Sequence, residues 1–270
     1  MYGAIIGDTT GSIYEFNNVK RTDIPLFTDR SNYTDDSVLT IAVANWLLVD
    51  PTHSLKSLEN EIVEIAHNFK NPMGGYGGSF FRWLFSTKER KPYNSWGNGS
   101  AMRVSPVGWF FDTLEETERV AKISAEITHN HPEGIKGAQA TAAAIFMART
   151  NHSKEDIKKY IEEKYGYNLH RTCDEIRPTY IFNESCQETV PEAIIAFLDS
   201  TDFENAIRLG ISLGGDSDTL TCITGAIAEA YYKSIPAYMI DEINKRIPDR
   251  FKEIIQGVIE KSYYKEIWGK

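Results

Sequence analysis

The sequence Gly214-Gly215-Asp216-Ser217-Asp218-Thr219 runs directly into the apolar stretch LTCITGAIAEAYY at positions 220–232. Two carboxylates and two hydroxyls lie within four residues, where a helix is predicted to begin. Such dense negative charge opposes folding unless a cation neutralises it or a helix N-terminus accepts it. The stretch therefore predicts a buried helix whose first turn carries either caps or metal ligands.

A second stretch of the same kind, Tyr33-Thr34-Asp35-Asp36-Ser37, leads into a predicted helix over residues 37–49. Acidic and hydroxyl side chains cap helices well, so capping alone could explain Asp35 and Asp36. If the two stretches meet in space, however, they offer hard oxygen ligands that suit Mg²⁺, Mn²⁺ or Ca²⁺ rather than zinc. Their combined charge is enough to neutralise two divalent ions, and a two-metal site indicates hydrolysis.

Glycine recurs at four-residue spacing in the first segment, at Gly3, Gly7 and Gly11, and Glu15 occupies the next step. In a helix these glycines form one stripe. Each costs roughly 1 kcal/mol relative to alanine, so the stripe predicts the close approach of another backbone. Glu15 is either an exposed residue at the end of this helix or part of the acidic site.

The remaining pattern predicts an all-α fold. No segment shows the two-residue alternation of a half-buried strand, and no linker or repeat divides residues 1–270, so a single compact multi-helix domain is expected. Residues 166–188 are read as irregular, and Pro191 is placed in the first turn of a helix that opens at Thr189. Further helices are predicted at 57–69, 113–127, 135–149, 153–165, 189–198, 202–213, 237–246 and 249–263.

Composition limits the classes of function. The 270 residues carry 29 Lys and Arg against 38 Asp and Glu, and the net charge of -9 argues against a generic nucleic-acid or anionic-membrane surface. The three cysteines form no Cys-x-x-Cys pair, which argues against a disulfide framework or zinc knuckle. No export signal or membrane span is apparent, so a cytoplasmic monomer is expected.

Two glycine-rich loops, at 74–78 and 94–100, each precede a helix-like segment. Such loops can direct backbone N–H groups at phosphate oxygens, although most glycine-rich loops are only turns. The stretch Thr128-His129-Asn130-His131-Pro132 lacks a third ligand for zinc. Its histidines are therefore expected to stack on a ligand base or to lie in a simple connecting loop.

Six motifs in a fixed order resemble the ADP-ribosylglycohydrolases, the family that includes dinitrogenase reductase-activating glycohydrolase and the ADP-ribosyl-acceptor hydrolases. The resemblance extends from Gly3 to about Pro236 and is weak over residues 153–184. It implies an all-α domain with a central dinuclear metal site. The motifs are GAIIGDTTGSIYE (3–15), YTDDS (33–37), WGNGSAMRVSPVG (96–108), TH (128–129), TVPEAI (189–194) and GGDSDT (214–219).

The resemblance also implies an activity, which is hydrolysis of the glycosidic bond between ADP-ribose and an acceptor, with release of ADP-ribose. The substrate would be an ADP-ribosylated protein side chain or a small ADP-ribosyl conjugate. Two alternatives stay open, namely another dinuclear-metal hydrolase of a nucleotide-like substrate and a non-catalytic ADP-ribose-binding relative.

Roles for individual residues follow from the same resemblance. Two Mg²⁺, or Mn²⁺ in their place, would be held by Thr34, Asp35, Asp36, Asp216, Asp218 and Thr219. The catalytic residues would be Glu15, Asp35, Asp36 and Asp218, with Glu15 contacting the substrate or the metal-bound water. Substrate would be bound by Gly77, Gly78, Ser95, Trp96, Gly97, Asn98, Gly99 and His129.

At three positions the match to the family's pattern is ambiguous or inexact. His129 best matches the base-stacking histidine of the family, and His131 is the alternative if the loop is realigned. Ser37 stands where many members have threonine. Trp96 stands where some members have tyrosine, so its ring can still stack but has lost a hydroxyl group.

Overall fold

Hydrophobic residues recur at helical spacing along this chain, and in the computed structural model, which describes residues 1–269, the regular elements are helices. Within these residues there is no β-strand, and only isolated bridges pair Thr34 with Met73 and Gly97 with Ser185. The predicted all-α class and single compact fold are confirmed. The helices are α1 (Tyr2–Gly11), α2 (Asp35–Val49), α3 (Leu55–Asn68), α4 (Gly78–Leu84), α5 (Gly99–Met102), α6 (Leu114–Glu126), α7 (Pro132–Arg149), α8 (Lys154–Tyr165), α9 (Cys173–Ile176), α10 (Cys186–Asp199), α11 (Phe203–Leu213), α12 (Ser217–Tyr232), α13 (Ala237–Arg246), α14 (Asp249–Lys261) and α15 (Lys265–Trp268), with a 3₁₀ turn at Ser105–Trp109.

The glycine stripe of α1 packs antiparallel against α12 at backbone-to-backbone range. A methyl group added at Gly7 would lie 2.1 Å from the Thr221 carbonyl oxygen, and one added at Gly3 would lie 2.2 Å from that of Gly225. These distances are far below van der Waals contact, so no side chain fits there. The predicted close approach of a second backbone is confirmed, and it joins the first helix to one that lies more than 200 residues later in the sequence.

Helices α2, α7 and α12 form the interior. Almost every residue of α12 from Ser217 to Ala230 is buried, as are residues 36–47 of α2 and most of alanine-rich α7. Because these helices are covered on all sides, their sequences are apolar around the whole circumference. In the part of the chain that the structure describes, no helix is long and apolar enough to cross a bilayer.

The predicted start of α10 is wrong. The helix begins at Cys186, so Pro191 lies inside it rather than in its first turn. The earlier start is fixed from outside the helix, because the Cys186 N–H donates to the Trp96 carbonyl at 2.9 Å. Proline removes one intrahelical hydrogen bond, and the carbonyl that loses its partner belongs to exposed Gln187, where water can satisfy it.

Two other boundaries differ from the prediction. Helix α1 ends at Gly11, where the Tyr14 N–H donates to the Gly11 carbonyl at 2.8 Å and tightens the chain into a turn. Glu15 therefore lies beyond the helix and does not continue the glycine stripe. Residues 166–188, expected to be irregular, contain the short helix α9.

Candidate active site

The first turns of α2 and α12 face each other across a cavity of about 340 Å³. These two turns come from opposite ends of the sequence and are joined through the α1–α12 contact. The predicted encounter of the two acidic stretches therefore takes place. Predicted site residues that line the cavity are Glu15, Asp35, Asp36, Gly77, Gly78, Ser95, Gly97, Asn98, Gly99, His129, Asp216, Asp218 and Thr219.

The start of α2 is held by a residue that the sequence did not single out, Asp8. Its buried carboxylate accepts hydrogen bonds from the backbone N–H groups of Thr34, at 3.0 Å, and Ser37, at 3.1 Å, and from the Ser37 hydroxyl. Thr34 in turn caps the helix, since its hydroxyl oxygen accepts from the Asp36 N–H at 3.2 Å. The capping needs of this turn are thus met without Asp35 or Asp36.

The start of α12 is shaped by two consecutive glycines. Gly214 and Gly215 both have φ of 74°, a left-handed conformation that favours glycine. Asn18 fixes this turn because its side chain accepts from the Gly215 N–H at 2.7 Å and donates to the Gly215 carbonyl at 2.9 Å. Asp216 occupies the cap position without making a capping bond, so its carboxylate is turned toward the cavity.

Side-chain hydrogen bonds connect the two turns and the glycine-rich loop. The Thr219 hydroxyl donates to Asp36 Oδ2 at 3.2 Å, and the Asn98 amide donates to Asp216 Oδ2 at 2.7 Å. Loop 95–99 is also fastened to the segment before α10, because the Asn98 N–H donates to the Glu184 carbonyl at 2.7 Å. The cavity walls are therefore held by specific contacts on three sides.

The carboxylates of the cavity repel one another. Burial raises the pKa of Asp35, Asp36 and Asp218 well above the ordinary range, and neighbouring carboxylates raise it further. Burial and Asp218 raise the pKa of half-buried Glu15 to about 8, and burial raises that of Asp216 to about 6. Such crowding is costly in the absence of a positive charge.

Two observations fit a cation at this place. Carboxylate oxygens of Glu15, Asp216 and Asp218 lie within 4.8 Å of one another. Asp36 Oδ1 is buried and has no hydrogen-bond partner among the described residues. An unpaired buried carboxylate oxygen is expensive unless something else satisfies it. The donor set consists of hard oxygen atoms, which Mg²⁺ and Mn²⁺ prefer.

Three of the singled-out residues lie apart from the cavity lining. Thr34 is buried behind Asp36. Trp96 is 53% exposed, and its ring packs edge-on against His131 at 5.6 Å. The His131 side chain caps α7 by accepting from the Glu133 N–H, so His129 is the histidine that reaches the cavity.

Sequence reasoning missed several residues of the site. Asp8 could have been suspected, because a carboxylate in the middle of an otherwise apolar glycine-striped helix needs partners. Arg103 lies within the WGNGSAMRVSPVG motif and lines the cavity although it is fully buried. Phe16, Tyr93 and Glu184 also line the cavity, and no local pattern marks them.

A model of the ADP-ribosylglycohydrolase family matches residues 1–267. This chain belongs to the ADP-ribosylglycohydrolase family. Membership agrees with the six motifs described above and supports hydrolysis of a glycosidic bond to ADP-ribose.

Relatives of this ADP-ribosylglycohydrolase family member include the ADP-ribosylhydrolase ARH3 of Mus musculus, which is 26% identical over 309 aligned positions that cover 85% of this chain and 82% of the mouse protein. The Homo sapiens ARH3 is also 26% identical, over 85% of this chain and 83% of the human protein. A solved chain from an ADP-ribosylglycohydrolase-related protein complex superimposes with a TM-score of 0.73 at 21% identity, covering 96% of this chain and 95% of that chain. At that identity, the superposition establishes the common fold.

Proposed function

We propose that this protein is a metal-dependent hydrolase that cleaves the glycosidic bond between ADP-ribose and an acceptor and releases ADP-ribose. The observation that carries the proposal is the meeting of two acidic helix starts, Asp35-Asp36 and Asp216-Ser217-Asp218, in one cavity beside a glycine-rich loop. Family membership and the likeness to ARH3 point to the same chemistry. The acceptor would be a protein side chain or a small molecule.

The residues that would hold the metal are Asp35, Asp36, Asp216, Asp218 and Thr219, which line the cavity, together with Thr34, which lies behind Asp36. Their four carboxylates match the charge of two divalent cations, and Mg²⁺ with Mn²⁺ as a substitute suits the all-oxygen donor set. When bound, the cations supply neutralising charge and polarise substrate oxygens. The unpartnered Asp36 Oδ1 and the close approach of Glu15, Asp216 and Asp218 support this assignment.

The chain's own residues would then orient the substrate and move protons. The loops containing Gly77-Gly78 and Ser95–Gly99 would bind the diphosphate through polar groups that have no partner among the described residues, with His129 beside them. Bringing the anomeric carbon and an attacking water into fixed geometry is a large part of such catalysis. Asp35, Asp36 and Asp218 are the candidates to accept the proton of that water.

Glu15 is the candidate to assist the leaving acceptor. It is half-buried at the edge of the carboxylate cluster, where one of its oxygens lies within 4.8 Å of oxygens of Asp216 and Asp218. A carboxyl group beside the scissile bond can transfer a proton to the departing acceptor. Glu15 would either donate that proton or position the leaving group.

The test is product analysis. The protein is incubated with Mg²⁺ and separately with ADP-ribosylated arginine, ADP-ribosylated serine peptide and ADP-ribosylated nucleic acid, and the products are separated by chromatography. The proposal predicts intact ADP-ribose from at least one substrate. Release of AMP or phosphate instead would indicate a nucleotide phosphohydrolase, and binding of ADP-ribose without turnover of any substrate would indicate a non-catalytic relative.

A further inference from the structure

Arg103 is a fully buried cation that lacks a carboxylate partner among the described residues. One guanidinium nitrogen, Nη2, donates to the Ser124 carbonyl at 2.9 Å and to the Thr128 hydroxyl oxygen at 2.8 Å. Its Nε and Nη1 atoms have no partner in the part of the chain that the structure describes. Burying an arginine in this way costs free energy of folding, so a compensating role for its side chain is expected.

The Thr128 hydroxyl connects this arginine to His129. Thr128 Oγ1 lies 2.7 Å from His129 Nδ1 while it accepts from Arg103. Arginine can only donate, so the hydroxyl proton is free to be donated elsewhere. The Tyr93 hydroxyl is the other polar group near Thr128 Oγ1 and is a competing acceptor of this proton. The 2.7 Å contact with His129 Nδ1 favours this nitrogen over Tyr93 as the acceptor of the Thr128 proton.

An accepting Nδ1 determines the state of the ring. The imidazolium form carries protons on both nitrogens, so a ring that accepts at Nδ1 is neutral and carries its proton on Nε2. Burial and the nearby Arg103 charge lower the pKa of His129 well below its ordinary value, in agreement with a neutral ring.

The protonated nitrogen is turned toward the glycine-rich loop. A methyl group built on Gly99 would lie 3.2 Å from His129 Nε2, and one built on Gly97 would lie 3.6 Å away. The imidazole is 5% exposed, lines the cavity, and has no hydrogen-bond partner for Nε2 among the described residues. A buried donor without a partner that faces a cavity is suited to an acceptor oxygen of a ligand.

We infer that Arg103 and Thr128 are positioning residues that fix His129 as a neutral Nε2–H donor to an acceptor oxygen of ADP-ribose. This inference rests on the proposed function for the identity of the ligand. The earlier expectation gave His129 a stacking role, whereas the hydrogen-bond chain gives it a directional polar role. Replacing Thr128, the middle residue of this Arg103–Thr128–His129 relay, should therefore alter the ring's tautomer and the affinity for ADP-ribose.

The direct test is ¹H–¹⁵N NMR of histidine-labelled, ligand-free protein at about pH 8, where an ordinary histidine is neutral. The His129 signal, assigned by its loss in His129→Gln, should show a protonated Nε2 and an unprotonated Nδ1. His131 is an internal control, because its Nδ1 accepts from the Glu133 backbone N–H at 3.1 Å and so has the same tautomer without Thr128. Protonation of His129 at Nδ1 would overturn the inference.

Variants of Thr128 test the relay itself. Thr128→Val keeps the shape but removes the hydroxyl, so His129 should become a mixture of tautomers and the Kd for ADP-ribose should rise by about 3- to 10-fold. Thr128→Ser keeps the hydroxyl and should retain both properties, and the His131 signal should be the same in all three proteins. An unchanged His129 tautomer in folded Thr128→Val would overturn the inference.

The two proposals can fail separately. The tautomer is read without substrate or turnover, so it tests the relay even if no ADP-ribosyl substrate is hydrolysed. If Thr128→Val does not fold, the wild-type tautomer and Thr128→Ser decide the matter. A wild-type ring of the expected tautomer combined with no ADP-ribose binding would contradict the ligand assignment.

Discussion

The carboxylate of Asp8 accepts a hydrogen bond from the backbone N–H of Ser37 at 3.1 Å, which fixes the start of α2 to the glycine-striped helix α1. The same carboxylate binds the Thr34 N–H, so one residue holds both ends of the turn that presents Asp35 and Asp36. The acidic turn is therefore positioned by a residue far away in the sequence.

Comparing Asp8→Ala with Asp8→Asn measures this contact. Both variants lack the charge of Asp8, but asparagine keeps an oxygen that can accept from the Thr34 and Ser37 N–H groups. We expect the alanine variant to be less stable than the asparagine variant by about 1–3 kcal/mol, the cost of leaving buried donors unpaired. Urea denaturation gives the two free energies of unfolding. Equal values would show that Asp8 does not hold the turn.

Asp218→Ala should separate folding from cation binding. Removing one carboxylate from a repelling cluster relieves repulsion, so the cation-free variant should melt no lower than the wild type and keep its helical circular dichroism. It should, however, lose both the rise in Tm caused by Mg²⁺ and turnover. Asp241→Ala, which changes an exposed carboxylate on α13, is the matched control and should keep the Mg²⁺ response. A full Mg²⁺ response in Asp218→Ala would refute the ligand assignment.

The effect of pH on stability should depend on the cation. In the cation-free protein the pKa values of Asp8 and Asp216 are raised to about 6 and that of Glu15 to about 8, whereas unfolded carboxyl groups titrate near 4. The folded state therefore binds more protons between these values, and its stability falls as the pH rises from about 4 to about 8. Mg²⁺ should oppose this loss, so the Tm increase that it causes should grow over the same range. Thermal denaturation with Mg²⁺ or chelator checks this, and a Tm increase that shrinks with rising pH would contradict it.

Gly7→Ala should be one of the most damaging small substitutions in the chain. The added methyl group would lie 2.1 Å from the Thr221 carbonyl oxygen and 2.8 Å from the Cys222 nitrogen, which are backbone atoms and cannot swing aside. We expect a loss of more than about 3 kcal/mol in the free energy of unfolding. Gly78→Ala in α4 is the control, because its methyl group would meet only Arg82 Nη1, at 3.7 Å, and it should change stability by less than about 1 kcal/mol. Similar losses in the two variants would contradict the close packing of α1 on α12.

Patterns repeated at helical spacing were sufficient to predict the architecture. The Gly3, Gly7 and Gly11 stripe predicted a close backbone contact, and α12 supplies it. The two acidic stretches were placed together because their charge needs compensation, and both turns line one cavity. In each case the physical reason lies within a short segment, so it can be recognised in the sequence.

What the sequence did not predict depends on contacts between distant segments. Asp8 serves a turn 26 residues away, and Arg103 acts on His129 through Thr128, so neither role has a local pattern. The start of α10 was misplaced because the Trp96 carbonyl, 90 residues earlier, pairs with its first N–H group. Such long-range hydrogen bonds become visible only in the folded chain.

The carboxylates of Asp35, Asp36, Asp216 and Asp218 are proposed to hold the divalent cations that hydrolysis of an ADP-ribosyl bond requires. The most direct measurement is ADP-ribose release by chelator-treated wild-type protein as Mg²⁺ is added back, on the substrate that it cleaves fastest. Under this proposal, release should be negligible before addition, and activity should return saturably with Mg²⁺ or Mn²⁺. Full release of ADP-ribose by the chelator-treated protein would contradict it.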